Sequence, residues 1–541
     1  MTYLFTSNVN VINEVEVNNS VGNPIPISKN TTTNSLTNPL FVSGEITTKP
    51  GGATSTSAFG ENLSVPVTPV IQLDGIYGLD PNKFQTYTLL SGNVDNDGPL
   101  FECNTGNTQY GYGVIRSKRS VRYRPGQGAV GRFTAAFTAN VSGHGYSGYT
   151  QRAGFFAQEQ AIQVGFDGAN KFGVMRQDGG KATIYKLKVD TAATGTANVS
   201  LTLNNTLYTV PITNGTVNHN AQEIGSFNYG SGWLVNAAED EVLFLSSTVG
   251  PQNGTFSVTD NSAQFTSNLT LLQQGVAHTE YWTYQNNFNL DTLDGNGPSG
   301  VILDPSKLNI YQINFRWLGA GEIRFAIEDS NNGDMIFFHH IHYSNRNTTP
   351  HLSNPSLKLG YVAASLGGAN TNVVVKGASM MGAIEGILTP TTFPDSVAVT
   401  RDTGLNTGGT KYHMLSLKNR LVLDSKINTK ELVLKSISVG ATSAASTPVK
   451  FVLYRNVSEA NDFQWTYSNK TWASATYSKS ESTITSNPAP IFQTLVSPGA
   501  AQIIDLDSYR LVISPGDSVS IAAIGSGVIS QADVILNWVE D

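Results

Sequence analysis

The densest group of side chains able to hold a metal or move a proton is His339-His340-Ile341-His342, directly after Phe337-Phe338. On a strand, His340 and His342 project to one face and His339 to the other. Two imidazoles do not complete a tetrahedral metal site. Three such pairs around a threefold axis would, but that arrangement belongs at an apex, and about 200 residues follow this segment. Hydrogen-bonded strand histidines are the expectation. His340 and His342 stay as weak metal candidates, and no cofactor is implied.

A second group is electrostatic. From Cys103 to Gln158 there is no acidic residue, while Arg116, Lys118, Arg119, Arg122, Arg124, Arg132 and Arg152 are basic. Tyr110, Tyr112, Tyr123 and Phe133 interleave with them. Such a strip can bind an anion or stack on sugars and bases. In a chain with a net charge of −7 it can equally pair with acids of the same or a neighbouring subunit, and pairing is the expectation. The negative balance gives no reason to propose a nucleic-acid partner.

Trp465, Tyr467, Trp472 and Tyr477 form a third group. On loops, Trp465, Tyr467 and Trp472 would be glycan-contact candidates, although core packing is the commoner fate of aromatic residues.

The remaining motifs fail their context. Gly126-x-Gly128-x-x-Gly131 has dinucleotide-binding spacing but follows Arg124-Pro125 and opens a strand, so no helix N-terminus receives a pyrophosphate. Asn93-x-Asp95-x-Asp97-Gly98 resembles half a calcium loop, but its twelfth position is Asn104 and Glu102 falls two residues short. A turn is the better reading. Carboxylate pairs such as Asp291/Asp294 and Asp505/Asp507 sit beside turns or on short strands, and there is no nucleophile elbow, zincin or Walker motif. The chain therefore reads as not an enzyme. Cys103, the single cysteine, reads as a small buried apolar residue.

These groups must be positioned by β-structure. The chain has 541 residues, 13% of them charged and 39% hydrophobic, with 52 glycines. That length predicts several domains, and that composition predicts short strands joined by tight turns rather than disorder. Gly131 to Ala139, Ala161 to Phe166, Lys181 to Val189, Leu201 to Val210, Asn309 to Trp317 and Glu322 to Glu328 alternate or run apolar over strand lengths. Turn clusters at intervals of about ten residues suit a sandwich or jelly roll. Asp329 to Asp334 predicts a hairpin turn, and only short helical pieces are expected.

The first 60 residues carry turn chemistry around little apolar surface, as an arm does that gains order on another subunit. The expected organisation is all-β and multidomain: an extended N-terminal arm over 1–60, a large jelly-roll-like sandwich over 61–390 with division into two subdomains as the alternative, and a C-terminal sandwich over 400–541. No signal peptide and no membrane span are read from the sequence.

Three stretches resemble virion structural proteins of tailed bacteriophages, especially cyanophages and other aquatic phages, with relatives in large algal viruses. The first is Glu14-Val15-Glu16-Val17 through Gly22-Asn23-Pro24-Ile25-Pro26, then Val42-Ser43-Gly44-Glu45. The second runs from Arg122-Tyr123-Arg124-Pro125-Gly126 into Arg132-Phe133-Thr134-Ala135. The third lies within 287–325: Leu293-Asp294-Gly295, Gly297-Pro298-Ser299-Gly300, and Ile313-x-Phe315-x-Trp317-Leu318-Gly319-x-Gly321-x-Ile323-Arg324-Phe325. Asn314 and Arg316 depart from the Asp and Gln commoner there.

The resemblance implies a β-sandwich component of tail fibre, baseplate or capsid surface, assembled in the host cytoplasm with other virion proteins. A homotrimer held by the arm is the corresponding expectation. A host-receptor or glycan-binding adhesin is the alternative, and a polysaccharide-cleaving tailspike stands behind both.

Overall fold

A computed structural model describes residues 66–260, 264–368, 370–387, 393–402, 408–442, 447–457, 463–525 and 531–541. The arm over 1–60 lies outside the described residues.

The chain is all-β, its sheets antiparallel. Two sheets form the large sandwich. The seven-stranded sheet runs, in spatial order, Thr279–Tyr284, Phe172–Asp178, Ala161–Phe166, Tyr149–Phe156, Lys358–Ser365, Tyr112–Ser117 and Phe84–Leu89. The nine-stranded sheet runs Met335–Ile341, Ile323–Glu328, Asn309–Arg316, Gly128–Phe137, Val374–Gly377, Leu100–Asn104 and Asn93–Asp97, with Val67–Asp74 and Ser379–Glu385 joined at Gly128–Phe137.

Alternation explains the core between them. In Asn309–Arg316 every second residue, Tyr311, Ile313 and Phe315, points inward and is buried; Ile323, Phe325 and Ile327 do the same on the next strand. Trp317 sits at the rim, where its indole N–H donates to the Leu352 carbonyl at 2.9 Å and its ring meets Tyr123 edge-on. The glycine motif opens the strand Gly128–Phe137, and Asp329 to Asp334 turns a hairpin between Ile323–Glu328 and Met335–Ile341. Asn93 to Asp97 is itself a strand, and Gly98, at φ 58°, turns it back onto Leu100–Asn104. Cys103 is buried in this core, and desolvation pushes its thiol well above the ordinary thiol range.

Between Phe172–Asp178 and Thr279–Tyr284, neighbours in one sheet, the chain leaves to build a second, smaller sandwich. Its sheets are Trp233–Ala238, Glu241–Val249, Ala182–Thr191 and Thr266–Gln273 against Thr206–Ile212, Ala197–Leu203 and Ser257–Asp260. The helix Val217–Ser226 packs on this core through Ala221 and Ile224. Thr216 caps it by accepting from the backbone N–H of His219 at 3.1 Å. Thr216→Ala removes that acceptor and is expected to cost this small sandwich about 1 kcal/mol, read as a lower urea midpoint.

Beyond Asp395 the chain makes a third sandwich. One sheet holds Asp395–Arg401, Ala532–Glu540, Leu432–Ala441, Ala501–Asp505 and Val512–Ile513. The other holds Thr466–Tyr467, Ala475–Ser478, Tyr412–Asn419, Ser518–Gly525, Val449–Arg455 and Pro490–Val496. Trp538, Leu417 and Phe451 are among the residues buried between them. Among the described residues no helix is long and apolar enough to cross a membrane.

Candidate functional site

The basic strip divides into three parts. Lys118, Arg119, Arg122 and Arg124 meet acids of the C-terminal sandwich. Arg124 donates to both carboxylate oxygens of Asp541 at 2.6 and 2.5 Å, and Arg122 lies 3.8 Å from the same group. Arg119 lies 3.5 Å from the buried carboxylate of Glu431, which also accepts from the Ser120 backbone N–H at 3.1 Å. Lys118 lies 3.4 Å from Asp517, a carboxylate also held by Arg455 and Asn456 at 2.9 Å each. These cations hold the Asp517 carboxyl below the usual range against the opposing effect of burial. Four residues of the strip thus tie two sandwiches together. Arg132 instead donates to Gln312 on the neighbouring strand. Arg116, with Arg152, turns to the outer face of the seven-stranded sheet.

Residues alternating with the core point outward: Gln85, Tyr87 and Leu89; Tyr112, Val114 and Arg116; Lys358, Gly360 and Val362; Arg152, Gly154 and Phe156; Ala161, Gln163 and Gly165; Gly173, Met175 and Gln177; Glu280, Trp282 and Tyr284. Register brings Gly360 opposite Gly154 and Gly165 opposite Gly173, so the middle of the face is bare backbone. Glycine is required there by close strand approach. A Cβ on Gly360 would run into the Ile115 carbonyl oxygen, and one on Gly165 into that of Gln151.

Aromatic rings stand at both edges. Tyr87 and Tyr112 meet edge-on at 5.8 Å between centroids. Across the sheet, Trp282 and Tyr284 lie nearly parallel, 11° apart at 6.3 Å. All four are half-buried, over a floor of Val114, Phe156, Met175 and Val362.

Polar groups bridge the two edges. Arg152 reaches from the middle of the sheet to Glu280 on the edge strand, 2.7 Å away. The Trp282 indole N–H donates to the other Glu280 oxygen at 2.9 Å, and His278 lies 3.4 Å from the first. Burial works to raise the Glu280 pKa, but hydrogen bonds from His278 and Trp282 and the Arg152 charge outweigh it, leaving the carboxyl at about 2. Glu280 is therefore a fixed anion, not a proton donor, and it is the only carboxylate among these outward strand positions. A two-carboxylate hydrolytic pair is not formed by them. Two donors on the face, Gln163 Nε2 and Arg152 Nε, are buried and have no hydrogen-bond partner among the described residues. Flat rings of this kind can stack on a ring-shaped ligand, whereas those two donors lie beneath the accessible surface.

One end of the face opens into a cleft of about 450 Å³ where the three sandwiches meet, lined by Gln85, Lys118, Lys358, Tyr229, Trp233 and Asp517 among others. Desolvation, reinforced by the Arg116 charge, lowers the Lys358 ammonium to about 7.

The aromatic group of the C-terminal sandwich is corrected by burial. Trp465 and Tyr467 are only 5% and 7% exposed, packed with Phe463, Tyr454 and Ile484, and cannot meet a glycan. Trp472 alone of the three candidates is exposed.

The three histidines separate as strand geometry requires. His339 is buried beside Phe288 and Phe325, and burial lowers its pKa to about 4. His340 and His342 lie on the opposite face, where the structure adds a residue that sequence reasoning missed, Glu322. The outer-face residues Tyr87, Trp282 and Glu280 were missed as well. Their strands are far apart in the chain, and only the alternation within each was visible.

Neither a protein-family profile nor a curated protein matches the sequence. Among solved structures the chain is similar to the Emp47p carbohydrate recognition domain, at 12% identity over 62% of this chain and 100% of that one, with a TM-score of 0.22. It is also similar to arcelin-5, a lectin-like defense protein from Phaseolus vulgaris, at 9% identity over 60% of this chain and 99% of that one, TM-score 0.21. Lectin II from Ulex europaeus gives 6% identity over 59% and 100%, TM-score 0.21. At these scores the likenesses carry no argument about function. The class rests on the chain's own strands: an all-β protein of several sandwiches.

Proposed function

We propose that this protein is a non-enzymatic glycan-binding module, and that its binding surface is the outer face of the seven-stranded sheet. The observation that carries this reading is the pair of aromatic edges, Tyr87 with Tyr112 and Trp282 with Tyr284, all half-buried on one sheet face with the Arg152–Glu280 ion pair between them. Sugars present apolar C–H faces on which such rings stack. Glu280, held ionised by Arg152, His278 and Trp282, anchors those three side chains instead of transferring a proton.

The test is a panel of surface polysaccharides and their oligosaccharides, read by calorimetry and by chromatography of the mixture. Binding without released product is expected. Trp282→Ala is expected to weaken it at least tenfold, about 1.4 kcal/mol, because an aromatic stacking surface is lost. Absence of binding to every glycan, or unchanged affinity in the variant, would sink the proposal.

We also propose the setting: a virion component assembled with other virion proteins through its N-terminal arm. The resemblance to phage structural proteins supports it, and so does the register. Its second and third stretches pair directly, Gly128–Phe137 against Asn309–Arg316 with Gly131 opposite Ile313, so they make one scaffold. The native mass of the full chain beside a form lacking 1–60 tests it. A trimer that becomes a monomer on deletion supports self-assembly through the arm, and a monomer in both cases removes it.

A further inference from the structure

We propose that Glu322, His340 and His342 form a divalent-cation site of the two-histidine, one-carboxylate type, taking zinc or a metal of similar softness. The site lies at the edge of the nine-stranded sheet and is independent of the glycan face.

The three residues are brought together by register. Ile323 pairs with Ile341 and Arg324 with His340, which places Glu322 beside His342, one step beyond the paired strands. Alternation then puts the side chains of Glu322, His340 and His342 on one face. Each offers a ligand atom, and these atoms all lie within 4.8 Å of one another. Glu322 Oε1 is 2.9 Å from His340 Nδ1 and 3.4 Å from His342 Nδ1. A cation about 2.0–2.1 Å from each ligand requires ligand atoms roughly 2.9 Å apart for right-angled coordination and roughly 3.4 Å for tetrahedral coordination. The two separations from Glu322 Oε1 lie within that range.

Neighbouring groups fix the ligands. Arg324 Nε donates to Glu322 Oε2 at 2.5 Å, which turns Oε1 toward the imidazoles. The Asn289 side chain clamps the backbone of His340 on both sides: its Oδ1 accepts from the His340 N–H, and its Nδ2 donates to the His340 carbonyl, each at 2.9 Å. The ligands thus stand on a held strand rather than a loop. A small cavity of about 70 Å³ adjoins Glu322, lined also by Asn314, Arg316, Arg324 and Glu385.

Imidazole nitrogen with one carboxylate suits zinc, cobalt or nickel better than calcium or magnesium, which prefer oxygen alone. Three protein ligands leave a coordination position open to water or to a group from a binding partner. The Arg324 charge opposes a second cation nearby and so weakens the site relative to one without it.

The experiment uses the full chain without an affinity tag, stripped with chelator and titrated with zinc against a zinc-sensitive dye. One zinc per chain is expected, together with visible absorption bands of a low-coordinate site when cobalt replaces zinc. His342 is half-exposed, so His342→Ala should fold normally, and it is expected to weaken zinc by roughly tenfold or more. Glu322→Gln is expected to act in the same direction, while His144→Ala, at an exposed histidine elsewhere, leaves binding unchanged. Zinc uptake that survives His342→Ala unaltered, or no uptake by the natural chain, would overturn the proposal and leave a hydrogen-bonded histidine–carboxylate cluster.

Discussion

Glu540→Ala is expected to lower the stability of the C-terminal sandwich by about 3 kcal/mol, because it removes one buried carboxylate that joins the two sheets. Glu540 ends the strand Ala532–Glu540 and is 5% exposed. Its carboxylate accepts from the backbone N–H groups of Ser474, at 2.8 and 2.9 Å, and Ala475, at 3.1 Å, and from the Lys430 ammonium at 3.1 Å. Ser474 and Ala475 lie at the start of a strand in the opposite sheet, so the carboxylate acts as a staple. Alanine leaves those buried donors without an acceptor and strands part of the Lys430 charge. Such losses cost more than an average hydrogen bond contributes, because the donors stay desolvated. Glu540→Gln keeps one acceptor oxygen but adds donors, so an intermediate loss is expected. Urea unfolding followed by tryptophan fluorescence reads this through Trp538, fully buried in the same core. A midpoint equal to that of the natural protein in Glu540→Ala would refute the staple.

The second large effect depends on pH. Lys358→Met is expected to stabilise the protein by about 2 kcal/mol at and below pH 7, with the gain shrinking as pH rises toward 10.5. Desolvation and Arg116 bring the folded-state pKa of Lys358 to about 7 from an ordinary 10.5, while Glu431 and Asp517 act weakly the other way. Below pH 7 the ammonium is charged in both states and its burial costs folding a constant amount. Between about 7 and 10.5 the unfolded chain holds the proton and the folded chain does not, so stability of the natural protein climbs with pH. Methionine has similar bulk and no charge, so it removes the cost and flattens that climb. The figure of about 2 kcal/mol is well under the full shift, because the ammonium keeps the Gln85 amide oxygen at 3.2 Å and meets solvent in the cleft. Melting temperatures of both proteins from pH 6 to 10 supply the check. Parallel curves would contradict it.

Both residues show how unevenly a chain displays its physics. Alternation at Tyr311, Ile313 and Phe315, and the turn at Asp329 to Asp334, were legible because neighbours along the chain create them. The helix Val217–Ser226 was not, since its one apolar stripe, Val217, Ala221 and Ile224, covers only ten residues. The basic strip was legible as charge. Its partners Glu431, Asp517 and Asp541 flank the ends of strands more than 300 residues later, and nothing local points to them.

The sequence by itself determined the all-β class, the strand-and-turn rhythm and the chemical inventory: a histidine cluster, a cationic strip, scattered aromatic rings. Periodicity of two and turn-forming residues act within a few positions, so they survive in the bare order of residues. The tertiary structure alone decided which of those groups do anything together. Trp465 and Tyr467 went into a core and Trp282 to a half-buried place on a sheet face, though all three are equally aromatic. Glu322 met His340 and His342 through strand register, and Arg152 met Glu280 across a sheet. Burial and register are collective properties, fixed by how every sheet packs at once, and no local pattern of residues encodes them.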